Sequence, residues 1–360
     1  MTDSAAAGPV RVPAPSRALA VRAATAGDRP AWDSLVLRSP RGTVFHLGAW
    51  REAVTRTFGF ESADLVAESG GEIRGVFPLA FVRNPLVKPF LLSIPFAVYG
   101  GIVAETAEAE RALLAEASRM ARERRARFVE IRSRDPIDYG LPEKSLYVTF
   151  VRDLPSTPEE CLAMIPRKAR AATRHAMERN GLVAELDRAA FDEFFALYVE
   201  NKRDLGSPPL PRRFLAALME SFGEKASILV VRKDARAVAA VMTFFFRDTV
   251  VPYYSGASAA AEPLHPNNFM YFRLQQEGVR LGYRKFDFGR SRRDTGPYDF
   301  KRNQGFEPTP LHYQYVLFDG AKMPDVNPGN PKFALAERVF EKLPLALARA
   351  VGSAVSRYFP

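Results

Sequence analysis

The sequence has few of the residues that cross-link a chain or bind a metal ion, namely cysteine and histidine. It contains one cysteine, Cys161, which excludes an internal disulfide and a cysteine-clustered metal site. The four histidines show no metal-ligand spacing: His46, His175, His265 and His312. We therefore expect no metal site and no permanently bound cofactor, and the cysteine content fits a reducing compartment.

Long apolar runs are also missing. The most apolar stretch, Phe90–Ala104, is interrupted by Pro95, Gly100 and Gly101, so it predicts a buried strand and turn rather than a membrane span. The first residues hold an early acid and several prolines but no apolar core, which predicts a disordered tail at 1–20 instead of a secretory signal. These features favour a cytoplasmic location.

The composition is that of a folded protein with a basic surface. Hydrophobic residues make up 47% and charged residues 26% of 360 residues, enough for two globular domains. The formal net charge of +10 favours anionic partners, such as phosphates, nucleic acid, nucleotide sugars or an anionic lipid surface, without selecting among them.

Both halves of the chain show the same order of predicted elements: two helices, a hairpin, a third strand, a helix and a further strand. Matching segments recur at a nearly constant separation, for example Phe58-Gly59 with Phe222-Gly223, and Phe128–Ser133 with Phe286–Ser291. A repeat of this length predicts two domains of one fold rather than a solenoid. We expect an α/β (α+β) protein in which each domain is a mixed, mostly antiparallel sheet flanked by helices.

The predicted boundaries follow from the repeat. The first domain is expected at 21–152 and the second at 153–320. A linker and a helical segment are expected at 321–360, with the linker at Met323–Lys332. The part at 333–360 is apolar on one side and carries scattered basic residues, so it could lie on an anionic membrane surface or pack on a domain.

Six motifs accompany this order of elements: FHLGAW (Phe45–Trp50), IPFAVYGG (Ile94–Gly101), IPRKAR (Ile165–Arg170), NNFMYF (Asn267–Phe272), FDFGRS (Phe286–Ser291) and YDFKRNQGFEPTPLHY (Tyr298–Tyr313). The order of elements resembles the GNAT acyltransferase fold. With the motifs, the tandem pair resembles the FemAB family of aminoacyl transferases, and most closely a FemAB-like subfamily associated with exosortase (PEP-CTERM) and exopolysaccharide gene clusters. The resemblance implies two tandem GNAT-like domains and transfer of an aminoacyl or acyl group to a cell-envelope precursor.

The segment Lys285–Phe306 is the predicted active site. It consists of a short strand, Gly289, a charged cluster, a Gly-Pro turn and a short helix, and ligands of open α/β sheets bind beyond the carboxyl ends of strands. The family resemblance implies that Lys301, which follows Phe300, stabilises the oxyanion formed when an amine attacks the donor ester. A fixed cation in a partly dry cleft contributes several kcal/mol to such a step.

Two further residues of this segment are candidates for catalysis, Asp287 and Tyr298, because the attacking group must lose a proton. On a strand, Asp287 points to the face opposite Phe286 and Phe288, so it is either an acid/base group or an ion-pair partner of a nearby arginine. The candidate substrate-binding residues lie in this segment and in neighbouring motifs: Arg290, Ser291, Arg293, Phe300, Tyr254, Asn268, Tyr271, Arg167 and Lys168.

The acyl donor stays open between aminoacyl-tRNA and acyl-CoA. The basic helix Arg167–Arg179 could contact an RNA acceptor stem or a diphosphate, or be a solvated face. The loop Gly256–Asn267 lacks the R/Q-x-x-G-x-G/A pattern with which GNAT enzymes bind the CoA pyrophosphate at a helix N-terminus.

The sequence therefore predicts a monomeric acyltransferase acting on an amine or hydroxyl of a peptidoglycan- or exopolysaccharide-related precursor. Its acceptor is expected to be an anionic small molecule or a lipid-linked glycan or peptide, reached in the cytoplasm or at the inner face of the membrane, with transfer RNA as a further partner. The alternatives are an acyl-CoA-dependent N-acetyltransferase and a non-catalytic glycan-binding scaffold of the same fold.

Overall fold

The computed structural model of the protein describes residues 18–84, 87–324, 337–358 and 360. Residues 1–17 of the predicted tail at 1–20 therefore lie outside the described residues. So do residues 325–332 of the predicted linker. The described part is a mixed α/β structure, as expected, with sheets flanked by helices. None of its helices combines the length and the apolar composition needed to cross a membrane.

Nine α-helices are described, and residues 337–341 are also helical: α1 Arg29–Arg38, α2 Gly48–Phe58, α3 Ala107–Glu123, α4 Arg167–Glu178, α5 Phe191–Asp204, α6 Arg212–Phe222, α7 Pro266–Arg280, α8 Gly296–Asn303 and α9 Leu345–Val355. Their ends follow local chemistry. Thr106 caps α3 by accepting a hydrogen bond from the Ala109 amide at 3.2 Å, and α2 stops at Gly59, which takes a left-handed conformation.

The described strands are β1 Ala20–Ala23, β2 Glu61–Ser62, β3 Leu65–Ser69, β4 Glu72–Phe77, β5 Ala80–Asn84, β6 Val87–Leu92, β7 Val103–Ala104, β8 Phe128–Ser133, β9 Glu143–Lys144, β10 Tyr147–Asp153, β11 Val183–Leu186, β12 Ala226–Lys233, β13 Arg236–Phe246, β14 Thr249–Ala257, β15 Lys285–Asp287, β16 Ser291–Arg292, β17 Pro308–Pro310 and β18 His312–Leu317.

Three sheets contain these strands. Two belong mainly to the first half, in the orders β1-β3-β4-β7 and β2-β5-β6-β8-β18-β9. The third belongs mainly to the second half, in the order β11-β12-β13-β14-β15-β10-β16, with β17 paired to β10. The first half divides its strands between two sheets because the chain leaves β4 at Phe77 and starts β5 only at Ala80, whereas the corresponding β13 is continuous.

The repeat seen in the sequence is visible in the strand pairing. In the first half β6 runs parallel to β8, with Leu92 opposite Glu130. In the second half β14 runs parallel to β15, with Val250 opposite Phe286. The two matched segments, β8 and the strand at β15, thus occupy the same place in each unit.

The two units exchange their last strands. Strand β10, which ends the first half, pairs antiparallel with β15, so that Val151 lies opposite Asp287. Strand β18, which ends the second half, pairs antiparallel with β8, so that Tyr313 lies opposite Arg132. The predicted boundary at 152/153 consequently falls inside a strand of the second unit's sheet, whose strands run from β10 to β17, and the first unit is completed by β18 from the far side of the second.

A shared aromatic core joins the halves further. Trp50 on α2 is fully buried, and its ring lies 5.4 to 6.4 Å from rings of the second half that surround it: Phe214, Phe222, Phe244 and Tyr253. Edge-to-face contacts at these distances add to the free energy gained by burying the rings. The helices α2 and α6 pack directly against each other as a result.

The C-terminal helix α9 packs on α5 and on the α5–α6 loop. Gly352 lies so close to Pro209 that an added Cβ would come within 2.5 Å of the proline carbonyl oxygen, so only glycine fits there. The neighbouring Ala348 is fully buried. This segment is therefore a packed part of the second unit.

Candidate functional site

The central feature of the second unit is a cavity of ≈ 410 Å³ where β14 and β15 separate. Their paired register ends at Val250 and Phe286, and the cavity is lined by Pro252–Tyr254 on β14 and by Phe288–Arg290 just after β15. Gly289, with φ of 70°, turns the chain away from β15. The cavity walls come from both halves of the chain: Phe96–Val98 and Arg132 from the first, and Tyr198, Lys202, Pro208, Leu210, Pro252–Tyr254, Phe288–Arg290, Lys301 and Pro360 from the second.

The corresponding space in the first unit is closed. The Gly100 amide donates to the Arg132 carbonyl at 2.8 Å, which draws the chain back against β8 after a short loop. Tyr99 is buried there, and the remaining space is ≈ 20 Å³, about the size that one water molecule needs. Of the two units, the second thus has the open cleft, and the loop of the first forms one of its walls.

Lys301 extends from α8 into this cavity. Its Nζ donates to the carbonyl oxygens of Gly289 at 3.0 Å and Arg290 at 3.1 Å. The ammonium also lies 5.3 Å from the ring centre of Phe288. Burial among these groups disfavours the charged form and lowers the pKa of Lys301 to about 7, while the nearby Asp287 carboxylate opposes the shift.

Asp287 lies beside the cavity rather than in its lining. Its Oδ1 accepts hydrogen bonds from the Gly289 amide at 2.9 Å and from the Tyr99 hydroxyl at 3.2 Å. Burial raises the pKa of this carboxyl, and the hydrogen bond from Gly289 opposes the shift. The ion pair with Arg290 or Arg293, which the sequence left open, is not among the salt bridges of the described residues.

Arg290 is held by aromatic groups. Its guanidinium lies 4.3 Å from the ring centre of Tyr147 and donates to the Tyr313 hydroxyl at 3.1 Å. Both tyrosines come from segments that belong to exchanged strands, β10 and β18. The exchanged strands thus supply the aromatic groups that hold Arg290 at the cavity wall. Arg290 has no carboxylate partner among the described salt bridges.

Two cations of the cavity were not identified from the sequence, Lys202 and Arg132. Lys202 lies on α5 one turn after Tyr198, and its Nζ is 5.8 Å from that ring. Burial and the charge of Arg290 lower the pKa of Lys202. Arg132 forms a salt bridge with Glu130 at 2.8 Å. For Arg132 the sequence signal was the repeat, which matches Arg132 with Arg290. For Lys202 it was the four-residue spacing from Tyr198, which is common on packed helices.

The structure brings three of the residues singled out in the sequence together in the cavity lining: Lys301, Arg290 and Tyr254. Phe300 and Tyr271 form a second layer behind it, with their ring centres 6.2 and 4.4 Å from that of Phe288.

The other selected residues lie outside the lining. Tyr298 packs against Phe150 at 5.5 Å, Ser291 is buried on β16, and Arg293 is exposed. Asn268 lies half-buried in the first turn of α7, and Arg167 and Lys168 are exposed at the start of α4. Across the described ranges no cluster of three or more metal-binding side chains occurs.

The charged side chains that line the cavity are all basic. Its lining contains the four cations Arg132, Lys202, Arg290 and Lys301, and no aspartate or glutamate among the described residues. Among the described residues, Arg132 is the one cation of the four that forms a salt bridge, and its partner is Glu130. The cavity therefore suits a ligand with negative charge, or a reaction in which negative charge develops.

Comparisons with known proteins show which fold the chain shares. Residues 163–302 match the acetyltransferase (GNAT) domain family. The structure resembles that of FemX, with a TM-score of 0.65 and 14% identity over 88% of this chain and 100% of that chain. It also resembles a tandem GNAT protein from the clavulanic acid biosynthesis pathway, with a TM-score of 0.52 and 13% identity over 86% of this chain and 99% of that one.

A third similar structure is the C-terminal domain of a protein assigned as a lysylphosphatidylglycerol synthetase from Agrobacterium fabrum. Its TM-score is 0.56 at 15% identity, over 91% of this chain and 96% of that chain. No curated protein matches the chain. At identities this low, the structural similarities show the fold alone. The chain consists of two interleaved GNAT-like units, and the second carries the matched acetyltransferase domain.

Proposed function

We propose that the protein is an acyltransferase of the FemAB/GNAT type, which moves an aminoacyl or acyl group onto an amine or hydroxyl of a cell-envelope precursor. The observation that carries the proposal is the position of Lys301. Its ammonium is held by two backbone carbonyls at the point where the strands of the matched GNAT domain separate. FemX and the synthetase domain support aminoacyl transfer as the specific reaction.

The chemistry at this point is acyl transfer by addition and elimination. The acceptor nitrogen or oxygen bonds to the donor carbonyl carbon, and the carbonyl π electrons move to its oxygen. The oxyanion then collapses, which breaks the bond to the ester oxygen or thioester sulfur of the donor. The proton lost by the acceptor is taken up by that oxygen or sulfur, so the donor leaves as an alcohol or a thiol. A lysine ammonium has three N–H donors, and Lys301 uses two of them on Gly289 and Arg290, so one can stabilise the oxyanion.

Asp287 supports this arrangement through the backbone. It fixes the Gly289 amide, and the carbonyl of the same glycine accepts a hydrogen bond from Lys301. We therefore assign Asp287 to positioning of the Gly289 turn, in addition to its charge near the ammonium. Proton removal from the acceptor remains a proposed role for Asp287 or Tyr298 acting through water.

The test of the proposed function is Lys301→Ala. Loss of a preorganised oxyanion donor costs roughly 100- to 1,000-fold in kcat, so transfer should fall by that order while the protein remains folded. Lys225→Ala is the matched control, because Lys225 is an exposed lysine of the same unit outside the cavity. Unchanged transfer in the Lys301 variant would exclude the assigned role.

The donor is tested separately by binding. A ligand that binds only the native state raises the apparent melting temperature. Acetyl-CoA and a charged tRNA mimic should therefore be compared for stabilisation of the wild-type protein, and stabilisation by one of them identifies the donor class. Binding of a glycan without transfer from either donor would favour the non-catalytic scaffold.

The acceptor proposed here is anionic, because the cavity has an excess of cations. The link to exosortase and exopolysaccharide systems is part of the proposal, and it rests on the resemblance of the motifs. The genes beside the coding sequence are the direct test, since a polysaccharide cluster there would support the link and an unrelated operon would remove it.

A further inference from the structure

The carboxylate of Asp287 is contacted from the other half of the chain. Two hydroxyls of that half lie against it, those of Tyr99 in the loop between β6 and β7 and of Thr149 on β10. The Tyr99 hydroxyl is 3.2 Å from Asp287 Oδ1, and the Thr149 hydroxyl is 3.5 Å from the same oxygen. All three side chains are buried, so water does not compete freely for these contacts.

The direction of the hydrogen bonds follows from the number of protons. Tyr99 and Thr149 also contact each other through their hydroxyl oxygens. A hydroxyl has one proton to donate, and a carboxylate can only accept. Tyr99 donates to Asp287 when Thr149 donates to Tyr99, whereas the opposite direction would use the longer contact at 3.5 Å. The chain of donors therefore runs from Thr149 through Tyr99 to Asp287.

This carboxylate holds the turn to which the cavity lysine is bound. Asp287 Oδ1 accepts a hydrogen bond from the Gly289 amide at 2.9 Å, and the Gly289 carbonyl accepts one from Lys301 at 3.0 Å. A carboxylate is a stronger acceptor than a protonated carboxyl, so the turn is held most firmly while Asp287 is ionised. The negative charge also favours the ammonium form of Lys301.

Burial works against the ionised form of Asp287. Removal from water raises the pKa of this carboxyl, and four groups oppose the increase: the Gly289 amide, the charge of Arg134, the Tyr99 hydroxyl and the charge of Lys301. Tyr99 is the one neutral side chain of these four. Loss of its hydroxyl would therefore disturb the ionised form without removing a charge.

The first unit holds Tyr99 in a position from which it can donate. Its ring lies 5.7 Å from that of Phe45 in an edge-to-face contact, and the Gly100 amide that follows donates to the Arg132 carbonyl at 2.8 Å. Burial raises the pKa of Tyr99 well above its ordinary value, so the hydroxyl keeps its proton. The closed cleft of the first unit thus supplies a fixed donor to Asp287 beside the open cleft.

We propose that Tyr99, oriented by Thr149, is a positioning residue for the site of the second unit. It holds Asp287 in the ionised form, and Asp287 in turn fixes the Gly289 turn that binds Lys301. The inference deepens the proposed function and rests on it only where it concerns catalysis. The state of Asp287 itself is measured without donor or acceptor.

The experiment is a titration of Asp287 by NMR, in the full chain labelled with carbon-13 at the aspartate side-chain carboxyls. The Asp287 signal is the one that Asp287→Asn removes. Loss of a hydrogen bond to a charged group should raise the pKa of Asp287 in Tyr99→Phe by about 1 to 2 pH units. An unchanged titration in this variant would overturn the proposal.

Variants of Thr149 test the order of the chain. Thr149→Val should raise the pKa of Asp287 by a smaller amount, because Thr149 only strengthens the donation from Tyr99. Combined with Tyr99→Phe it should add nothing, and full additivity would exclude the assigned order. Thr149→Ser keeps the hydroxyl and should titrate as the wild-type protein does. If Tyr99→Phe does not fold, a pKa raised in the valine variant alone supports the proposal, and equal values in both Thr149 variants overturn it.

Tyr139→Phe is the matched control. Tyr139 donates to the Glu110 carboxylate at 2.5 Å, so this variant removes the same group from the same kind of hydrogen bond. Neither residue lines the cavity. The titration of Asp287 should not change in this variant, and a change equal to that in Tyr99→Phe would overturn the proposal. Circular dichroism melts show whether each variant is folded.

Transfer kinetics give the second measurement. Tyr99→Phe should lower kcat with little change in KM. A raised pKa keeps Asp287 protonated to a higher pH, so the acidic limb of the kcat profile should move to higher pH by the amount seen in the titration. A lower kcat with an unmoved limb would show a merely structural effect and overturn the positioning role. Failure of the proposed function is distinguishable, because it would appear as unchanged transfer in Lys301→Ala whatever the titration of Asp287 shows.

Discussion

At the scale of single residues, the protonation of Lys301 decides what the site can do. An ammonium stabilises an oxyanion and a neutral amine does not, and burial brings the pKa of Lys301 to about 7. The protonated form of the free enzyme therefore disappears as the pH rises through this value.

The first prediction is a falling limb in the pH profile. Because kcat/KM reports the free enzyme, it should decrease above about pH 7 as Lys301 loses its proton. In Lys301→Arg this limb should disappear, since a guanidinium stays protonated throughout the range, even if the absolute rate is lower. A profile that rises through pH 7 in the wild-type protein and is flat in the arginine variant would instead identify the neutral amine as a base.

The second prediction concerns Lys202, which has no carboxylate partner in the cavity lining. Lys202→Gln should raise KM for an anionic acceptor by roughly tenfold, since a hydrogen bond to a charged group contributes about 1.5–3 kcal/mol. Its kcat should change little, because Lys202 comes from α5, whereas the proposed oxyanion cation comes from α8. Steady-state kinetics measure both, and Lys225→Gln serves as the charge-matched control. A loss confined to kcat would contradict the binding role.

At the scale of elements, the exchanged strands make the site depend on both halves. Strand β10 pairs with β15 beside Asp287, and β18 completes the sheet that contains Arg132. The first half taken as a contiguous piece of chain therefore leaves an edge of β8 unpaired where β18 belongs. Exposed edges of this kind favour aggregation over folding.

The third prediction follows from this exchange. A fragment ending at residue 146 should not unfold cooperatively, because it lacks β18 beside β8. Co-expression with the fragment beginning at residue 147 should restore a soluble complex with a cooperative melt, measured by circular dichroism. Independent folding of the first fragment, with the melting temperature of the whole protein, would show that the exchange is dispensable.

At the scale of the whole molecule, the aromatic core makes the two units one cooperative structure. Trp50 of the first half is surrounded by rings of the second, and its Nε1 donates to the Pro95 carbonyl at 3.1 Å. Pro95 precedes the loop that forms one wall of the cavity. The core thus connects the stability of the molecule to the shape of the cleft.

The fourth prediction is the effect of Trp50→Ala. Truncation of a fully buried tryptophan costs about 3–5 kcal/mol of unfolding free energy. The loss should appear as one transition displaced to lower temperature or lower denaturant concentration, observed equally by circular dichroism and by calorimetry. Two separate transitions, of which only one moves, would contradict a shared core.

Local sequence patterns were enough to predict the class of fold and the segment from which Lys301 and Arg290 reach the cavity. The repeat of elements, the strand at 285 and the Phe-Lys pair are local patterns, because helix and strand periods and turn residues are encoded over a few positions. They were sufficient to predict two mixed α/β units and to select Lys301, Arg290 and Tyr254, which line one cavity.

Which strands pair and which charges come together depend on long-range contacts in the folded chain. The exchange of β10 and β18 depends on contacts between distant residues, and their local pattern is the same whichever sheet they join. Lys202 and Arg132 reach the cavity only because α5 and β8 are brought to it from different halves. A long-range pairing leaves no periodic signal in one sequence. For this reason the approach of Lys202 and Arg132 to the cavity is visible only in the folded chain.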